Sequence, residues 1–332
     1  MDDPVLAFAK SVRLVDCRTI NTPNLIFLCG GPTPFLPLTQ FDLAPYHSAR
    51  DYFKRYMIKN QPDLYTRRVK VAEQINRRFE HDGFSDLLEF EERIAVFCDS
   101  ILLFVESPGS IAELGAFATS KILREKTIAI MSTEYPRDDT FIADGPVRRL
   151  RNERRDAVRY FDWNPLSINE PKTLEALKAM SEELVQLLTE RDQPVVREPQ
   201  LNQEFTSHTM LLIADLIDIL GITVESEISQ CLTAWGYQIK PQLLTQYISV
   251  LERLKIVKQL PYSAECYWVS KANLPYIRYD FTPIAPLRDR DRDRERLKSL
   301  IRASLRTRDS KRSGVFERYL LQQEAKLKPA HV

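Results

Sequence analysis

The 332 residues, 44% apolar and 28% charged with a net charge of +1, are those of a soluble globular chain with room for two cores. No apolar run approaches the roughly 20 residues that span a bilayer. The start, M-D-D-P-V-L, lacks the basic and apolar regions of a signal peptide, so the expected location is cytoplasmic, with no membrane partner. Five cysteines stand singly and the four histidines lie far apart, which gives no metal-ligand spacing and leaves acid–base work to carboxylates.

The first element is the apolar run N-L-I-F-L-C at 24–29, a buried strand that enters the turn Gly30-Gly31-Pro32. Its glycines permit close backbone approach to a ligand, although such a turn also serves simply to end a strand. The proline-rich stretch P-T-P-F-L-P-L reads as a surface loop or lid. Val69, Ala72, Ile75 and Phe79 recur at helical spacing, which predicts an amphipathic helix over 66–80. A second helix is expected over 86–97, with Leu87, Leu88, Ile94 and Phe97 inward; Asp86, Glu89, Glu91 and Glu92 form its acidic face, favourable near a helix N-terminus.

The centre of the chain is D-S-I-L-L-F-V-E-S-P-G-S-I-A-E-L-G-A-F at 99–117. Residues 100–105 are a strand apolar enough to be covered on both faces, and Pro108-Gly109 then breaks the chain before a helix. Turns at the carboxyl ends of such strands are where open α/β sheets bind ligands. Thr127–Met131 is a third strand, F-I-A-D-G-P-V-R-R-L-R at 141–151 a glycine-proline loop opening a basic patch, Ala157–Phe161 a last strand, and 172–190 a long amphipathic helix. Strand, helix and strand in this order predict an α/β fold with a doubly wound parallel sheet over 1–190.

A linker without periodicity follows at 191–203. Helices at 205–220, 224–234 and 241–254 and two short β-like runs then spell a winged helix over 204–282. Gln242–Arg253 would be its recognition helix. Lys240, Gln242, Thr245, Gln246, Ser249 and Arg253 are its candidate contacts to nucleic acid, and a protein-interaction role for the same domain stays open. The tail, 283–332, begins with alternating charge; from 288 to 312 it carries eleven Arg/Lys against five Asp/Glu and reads as a mobile helix or arm.

Two carboxylates flank the central turn. Ser110-Ile111-Ala112-Glu113 fits a capping box, in which Glu113 reaches back to the cap backbone. The chemical alternative makes Glu113 a nucleophile at the anomeric carbon of a ribosyl group, with a covalent sugar–enzyme intermediate and a second group assisting the leaving base. Amides of Gly109, Ser110 and Ile111 would then hold a sugar hydroxyl or a phosphate.

The motifs I-F-L-C-G-G (26–31), L-L-E-F-E-E (87–92), S-P-G-S-I-A-E-L-G-A-F (107–117) and F-I-A-D-G-P-V-R-R-L-R (141–151) occur in this order. Together they resemble the retron-associated effector toxins related to nucleoside deoxyribosyltransferases. The resemblance covers about 24–160 by motif and most of the chain by domain order. It implies a flavodoxin-like layering and an anti-phage toxin that a reverse transcriptase and its multicopy single-stranded DNA, joined to RNA, hold inactive. Glu113 matches the transferase nucleophile, and Glu91, or Asp86 as second choice, the acid that assists base or sugar. Ser107, Gly109 and Ser110 would line the ribose and phosphate, with Cys29, Gly30, Gly31 and Glu106 nearby. The classical enzymes carry an aromatic residue where this chain has Cys29-Gly30-Gly31, so base stacking has no assigned residue.

The implied activity is N-glycosidic cleavage or transfer on a nucleotide, deoxynucleotide or NAD, with no further cofactor. The resembled transferases share sites between subunits, so a homo-oligomer belongs to the expectation. Two other readings stand beside it: a DNA-binding regulator whose α/β domain senses a nucleotide without catalysis, and a phosphoribohydrolase of the cytokinin-activating type, which the C-terminal domain fits poorly.

Overall fold

The apolar runs become the strands of a parallel sheet in the computed structural model, which describes residues 4–34, 44–75, 82–135, 139–191, 198–262, 265–271, 274–281 and 290–327. Two units emerge. One comprises Pro23–Phe79 and Ser85–Val196; the other comprises Met1–Thr22, Glu80–Phe84 and Arg197–Val332.

In the first unit the chain runs β1 (Leu25–Gly30), α1 (Ala49–Asn60), β2 (Val69–Val71), α2 (Leu87–Ala95), β3 (Cys98–Val105), α3 (Pro108–Thr119), β4 (Thr127–Ser132), α4 (Arg148–Glu153), β5 (Val158–Phe161) and α5 (Pro171–Arg191). The five strands are parallel in the order β2-β1-β3-β4-β5. On one face Ile26, Leu28, Leu102, Phe104, Ile128 and Ile130 pack against Phe53 and Met57 of α1 and Leu177, Met180 and Leu184 of α5. The alternate residues Phe27, Cys29, Ile101 and Leu103 face the other way. With Phe90 and Ile94 of α2 and Leu114 and Phe117 of α3 they are fully or almost fully buried. Because β1 lies between β2 and β3, successive connections leave it in opposite directions. That opens a crevice at the carboxyl ends of β1 and β3.

Three local expectations are corrected. The helix predicted over 66–80 is interrupted: Pro62–Arg68 is helical, but Val69-Lys70-Val71 pairs with β1 as an edge strand before a turn of helix at Ala72–Ile75. Two β-branched residues alternating with a lysine suit a half-covered edge better than a helix; residues 76–80 lie outside the described residues. In α2, Phe90 takes the inward place and Leu87 is exposed. The supposed loop at 141–151 is helical, a π-turn at Ala143–Val147 containing Pro146 that runs into α4. Residues 35–38 of the proline-rich stretch are outside the described residues.

The second unit contains α6 (Thr206–Leu220), β6 (Ile222–Thr223), α7 (Glu225–Ala234), α8 (Pro241–Arg253), β7 (Val257–Tyr262), β8 (Glu265–Ser270), α9 (Arg290–Arg308) and α10 (Ser310–Leu327). Strands β6, β8 and β7 form an antiparallel sheet. Residues 4–22 group with this unit and not with the 1–190 domain expected from sequence. Phe8 meets Trp235 and Tyr279 edge-on at 5.8 and 5.5 Å, and the Trp235 indole N–H donates to the Ala9 carbonyl at 2.8 Å.

The charged tail is likewise part of this unit. Arg294 is 9% exposed and donates two hydrogen bonds to the fully buried Asp215, at 2.6 and 3.0 Å. Lys298 reaches Asp218 at 2.7 Å, and Ile301 is buried on the same side of α9. In α10, Val315, Phe316 and Tyr319 pack on Ile222, Tyr267 and Val269. The inward stripe of α9 begins with cations whose partners lie far away in sequence, so it reads as a solvated face until the fold supplies them. Residues 282–289 and 328–332 of the tail lie outside the described residues.

Candidate active site

The crevice is built by backbone constraints. Gly30 has φ 113°, and a Cβ there would stand 2.1 Å from the Phe104 carbonyl oxygen, so only glycine lets β1 turn this close to β3. A Cβ on Gly31 would fall 2.3 Å from the Glu106 carboxylate. That carboxylate is committed: Oε2 accepts the Ala49 N–H at 2.7 Å and Oε1 the Arg50 N–H at 3.0 Å. Glu106 therefore closes the N-terminus of α1, the end that favours negative charge. Burial raises its pKa, while the two amides oppose that shift.

The capping box of α3 lies one turn earlier than the Ser110–Glu113 alternative. Ser107 is the N-cap, its hydroxyl accepting the Ser110 N–H at 3.2 Å, and Ser110 Oγ accepts from the Ser107 and Glu106 amides, each at 2.9 Å. Proline at the first helical position shifts the frame, because it needs no hydrogen-bond partner there. The Ile111 amide is also spent, on the Ser107 carbonyl at 3.0 Å. Of the three amides expected to receive a ligand, only that of Gly109 is left without a partner among the described residues.

Glu113 is thus released from capping. It is partly buried, and its Oε2 is enclosed without a hydrogen-bond partner. Burial raises its pKa to about 7, Arg50 and the Gly30 amide pull it down, and Glu73 pushes it up. The carboxyl is therefore poised between its two forms at neutral pH. Glu91, on α2, is 3% exposed. Burial raises the pKa of the Cys29 thiol, and the charges of Glu91 and Glu113 add to that shift, so the thiol is buried and neutral. Asp86 has a different place. It is the N-cap of α2, Oδ1 accepting the Glu89 N–H at 2.8 Å.

Sequence reasoning missed Arg50. It is 0% exposed, donates from Nη1 to the Leu28 carbonyl at 3.3 Å, and pairs through Nη2 with Glu73. Its Nε is buried without a partner. One signal was present: an arginine in the first turn of a helix opposes the macrodipole and calls for a compensating anion.

The six residues expected to meet nucleic acid are on or beside α8, but the described structure occupies most of their polar groups. Gln242 and Gln246 both donate to the Gly83 carbonyl, at 3.0 and 2.8 Å. Thr245 donates to Glu225, Arg253 pairs with Asp82 at 2.6 Å, and Ser249 is buried. Lys240, at the helix start, is the exception.

An α/β unit with a poised carboxylate at the point where its strand order reverses defines a candidate small-molecule enzyme. The chain belongs to the STM3845 retron effector protein family, whose model matches residues 46–259, more than half of its length. A relative from Escherichia coli, "Retron Ec86 putative ribosyltransferase/DNA-binding protein", is 33% identical over 150 residues, 45% of this chain and 44% of that protein. The match therefore spans less than half of that relative. A second from the same organism, "Retron Ec73 putative ribosyltransferase/DNA-binding protein", is 23% identical over 275 residues, 79% of this chain and 81% of the relative.

Proposed function

We propose that this retron effector is a toxin of anti-phage defence that cleaves or transfers the N-glycosidic bond of a nucleotide, deoxynucleotide or NAD, with Glu113 as nucleophile. The observation that carries the reading is the state of Glu113: free of the helix cap, enclosed at Oε2 without a partner, and held at a pKa of about 7. The ionised carboxylate attacks the anomeric carbon as the bond to the base breaks, and Glu91 assists the departing base or the sugar. Water or an acceptor then releases the sugar from the enzyme. Arg50 favours the ionised form of Glu113 and so readies the nucleophile. The ribosyltransferase in the names of both relatives supports this class of reaction.

The α/β unit corresponds to a deoxyribosyltransferase-like fold, and the helices and hairpin of the second unit to a winged helix. On this reading the effector is held inactive by the retron reverse transcriptase and its multicopy single-stranded DNA. The test is to incubate the purified protein with a nucleotide and NAD panel and measure released base. Wild type is expected to release base from at least one substrate. Glu113→Gln should lose at least about 10³-fold of that activity while keeping its fold. A fully active variant would overturn the assignment.

The DNA-binding part of the relatives' names favours a second reading, a regulator that senses a nucleotide without cleaving it. It predicts nucleotide binding with no base released.

A further inference from the structure

On the side of α3 away from Glu113 lies a second concavity, about 390 Å³, with small residues at its floor and an aromatic ring and two guanidinium groups at its wall. Gly115, Ala118 and Thr119 form the floor. Ala118 and Thr119, five and six residues beyond Glu113 at roughly 100° per residue, fall on the far side of the helix. The site is therefore separate from the crevice.

The wall is unusual in what it leaves uncovered. Phe141 is 88% exposed, and a Cβ on Gly145 would stand 3.8 Å from its ring, so the ring lies over Gly145 and offers its remaining surface to solvent. Arg149 has no ion-pair partner among the described residues, and Arg148 has only Asp144 at 4.0 Å, both side chains being mostly exposed. Several other arginines are matched: Arg50 with Glu73, Arg68 with Asp99, Arg253 with Asp82, Arg294 with Asp215. An open aromatic face beside one unpaired guanidinium group, Arg149, and one only loosely paired with the lining Asp144, Arg148, is a combination that holds a stacked base and its phosphate.

We infer that this concavity binds single-stranded nucleic acid, an unpaired base stacking on Phe141 while Arg148 and Arg149 hold the adjoining phosphates. Charge complementarity selects an anionic occupant, and the exposed ring selects one with a planar face. A duplex hides its bases within its stack and cannot offer that face. The inference also relocates nucleic-acid contact from α8, whose glutamines are spent on Gly83, to the first unit.

The experiment is fluorescence anisotropy of a labelled oligothymidylate titrated with the full-length protein at two salt concentrations. Expected are single-strand binding and about tenfold weaker binding by Phe141→Ala, with recovery in Phe141→Trp, the size a lost stacking contact predicts. Each arginine replaced by alanine should reduce the salt slope by about 0.7. These side chains are exposed, and an unchanged melting temperature verifies that each variant folds.

No binding by wild type, full binding by Phe141→Ala, or equal affinity for a duplex would overturn the proposal. Complete competition by a mononucleotide at equal concentration would assign the site to a free nucleotide and also overturn it. Loss of binding in Gln242→Ala but not in Phe141→Ala would return the contact to α8. Base release by Phe141→Ala should stay at the wild-type level, so failure here and failure of the Glu113 mechanism are read in separate assays.

Discussion

At the scale of single residues, the two acids of the central turn are divided by their hydrogen bonds. Glu106 and Glu113 are seven positions apart, and burial raises the pKa of both. Glu106 spends both oxygens on the start of α1, whereas Glu113 keeps Oε2 unpartnered. A carboxyl in that state carries a stability signature independent of any substrate. Its pKa moves from an ordinary 4.5 to about 7, so the folded chain holds a proton that the unfolded chain has already released. The contribution is fully present below pH 4.5, declines as pH rises, and is lost above 7. Glu113→Gln removes this dependence. By calorimetry its melting temperature should exceed that of wild type at pH 8, with the gap closing towards pH 5; a gap independent of pH would mean Glu113 ionises normally.

At the scale of elements, legibility followed how each segment meets solvent. Strands β1, β3 and β4 were readable because a parallel sheet buries both faces and leaves continuous apolar runs. β2 was not, since three residues alternating around Lys70 share their apolar positions with a helix through Ala72 and Ile75. Glu113 was found by motif, but its freedom from capping was not, because S-x-x-E and the displaced S-P-G-S frame differ only in which serine starts the helix. Arg50 stood alone in sequence, and its partners Glu73 and the Leu28 carbonyl are distant along the chain. The frame of α3 has a measurable consequence. Ser107→Ala removes one cap acceptor and should cost about 1 kcal/mol. Ser110→Ala strips the acceptor from two backbone amides and should cost more, about 2 kcal/mol. Urea midpoints test the order; with Glu113 as the cap, Ser110→Ala would instead be the ordinary N-cap loss and Ser107→Ala nearly silent.

At the scale of the whole molecule, a net charge of +1 conceals two uses of arginine. In the first unit Arg148 and Arg149 face solvent, which is what the proposed nucleic-acid site rests on. In the second, Arg294 and Arg312 of the tail are consumed by the fold. Arg312 donates to the Ile222 carbonyl and to both oxygens of Glu227, which holds the start of α7 through the Val224 amide. Arg294 neutralises Asp215, which also accepts the Tyr276 amide at 2.7 Å. A buried pair of this kind is costly to break from one side, because the remaining ion has lost its water and its partner. Arg294→Met should therefore destabilise the protein by about 3–5 kcal/mol. Asp215→Asn in the same chain removes the stranded charge while keeping an acceptor for the Tyr276 amide. The double variant should accordingly recover part of the loss, an interaction that chemical denaturation of the four proteins of the cycle measures. Strict additivity would show that Arg294 and Asp215 do not meet, and would return α9 to the solvated arm that its alternating charges suggest.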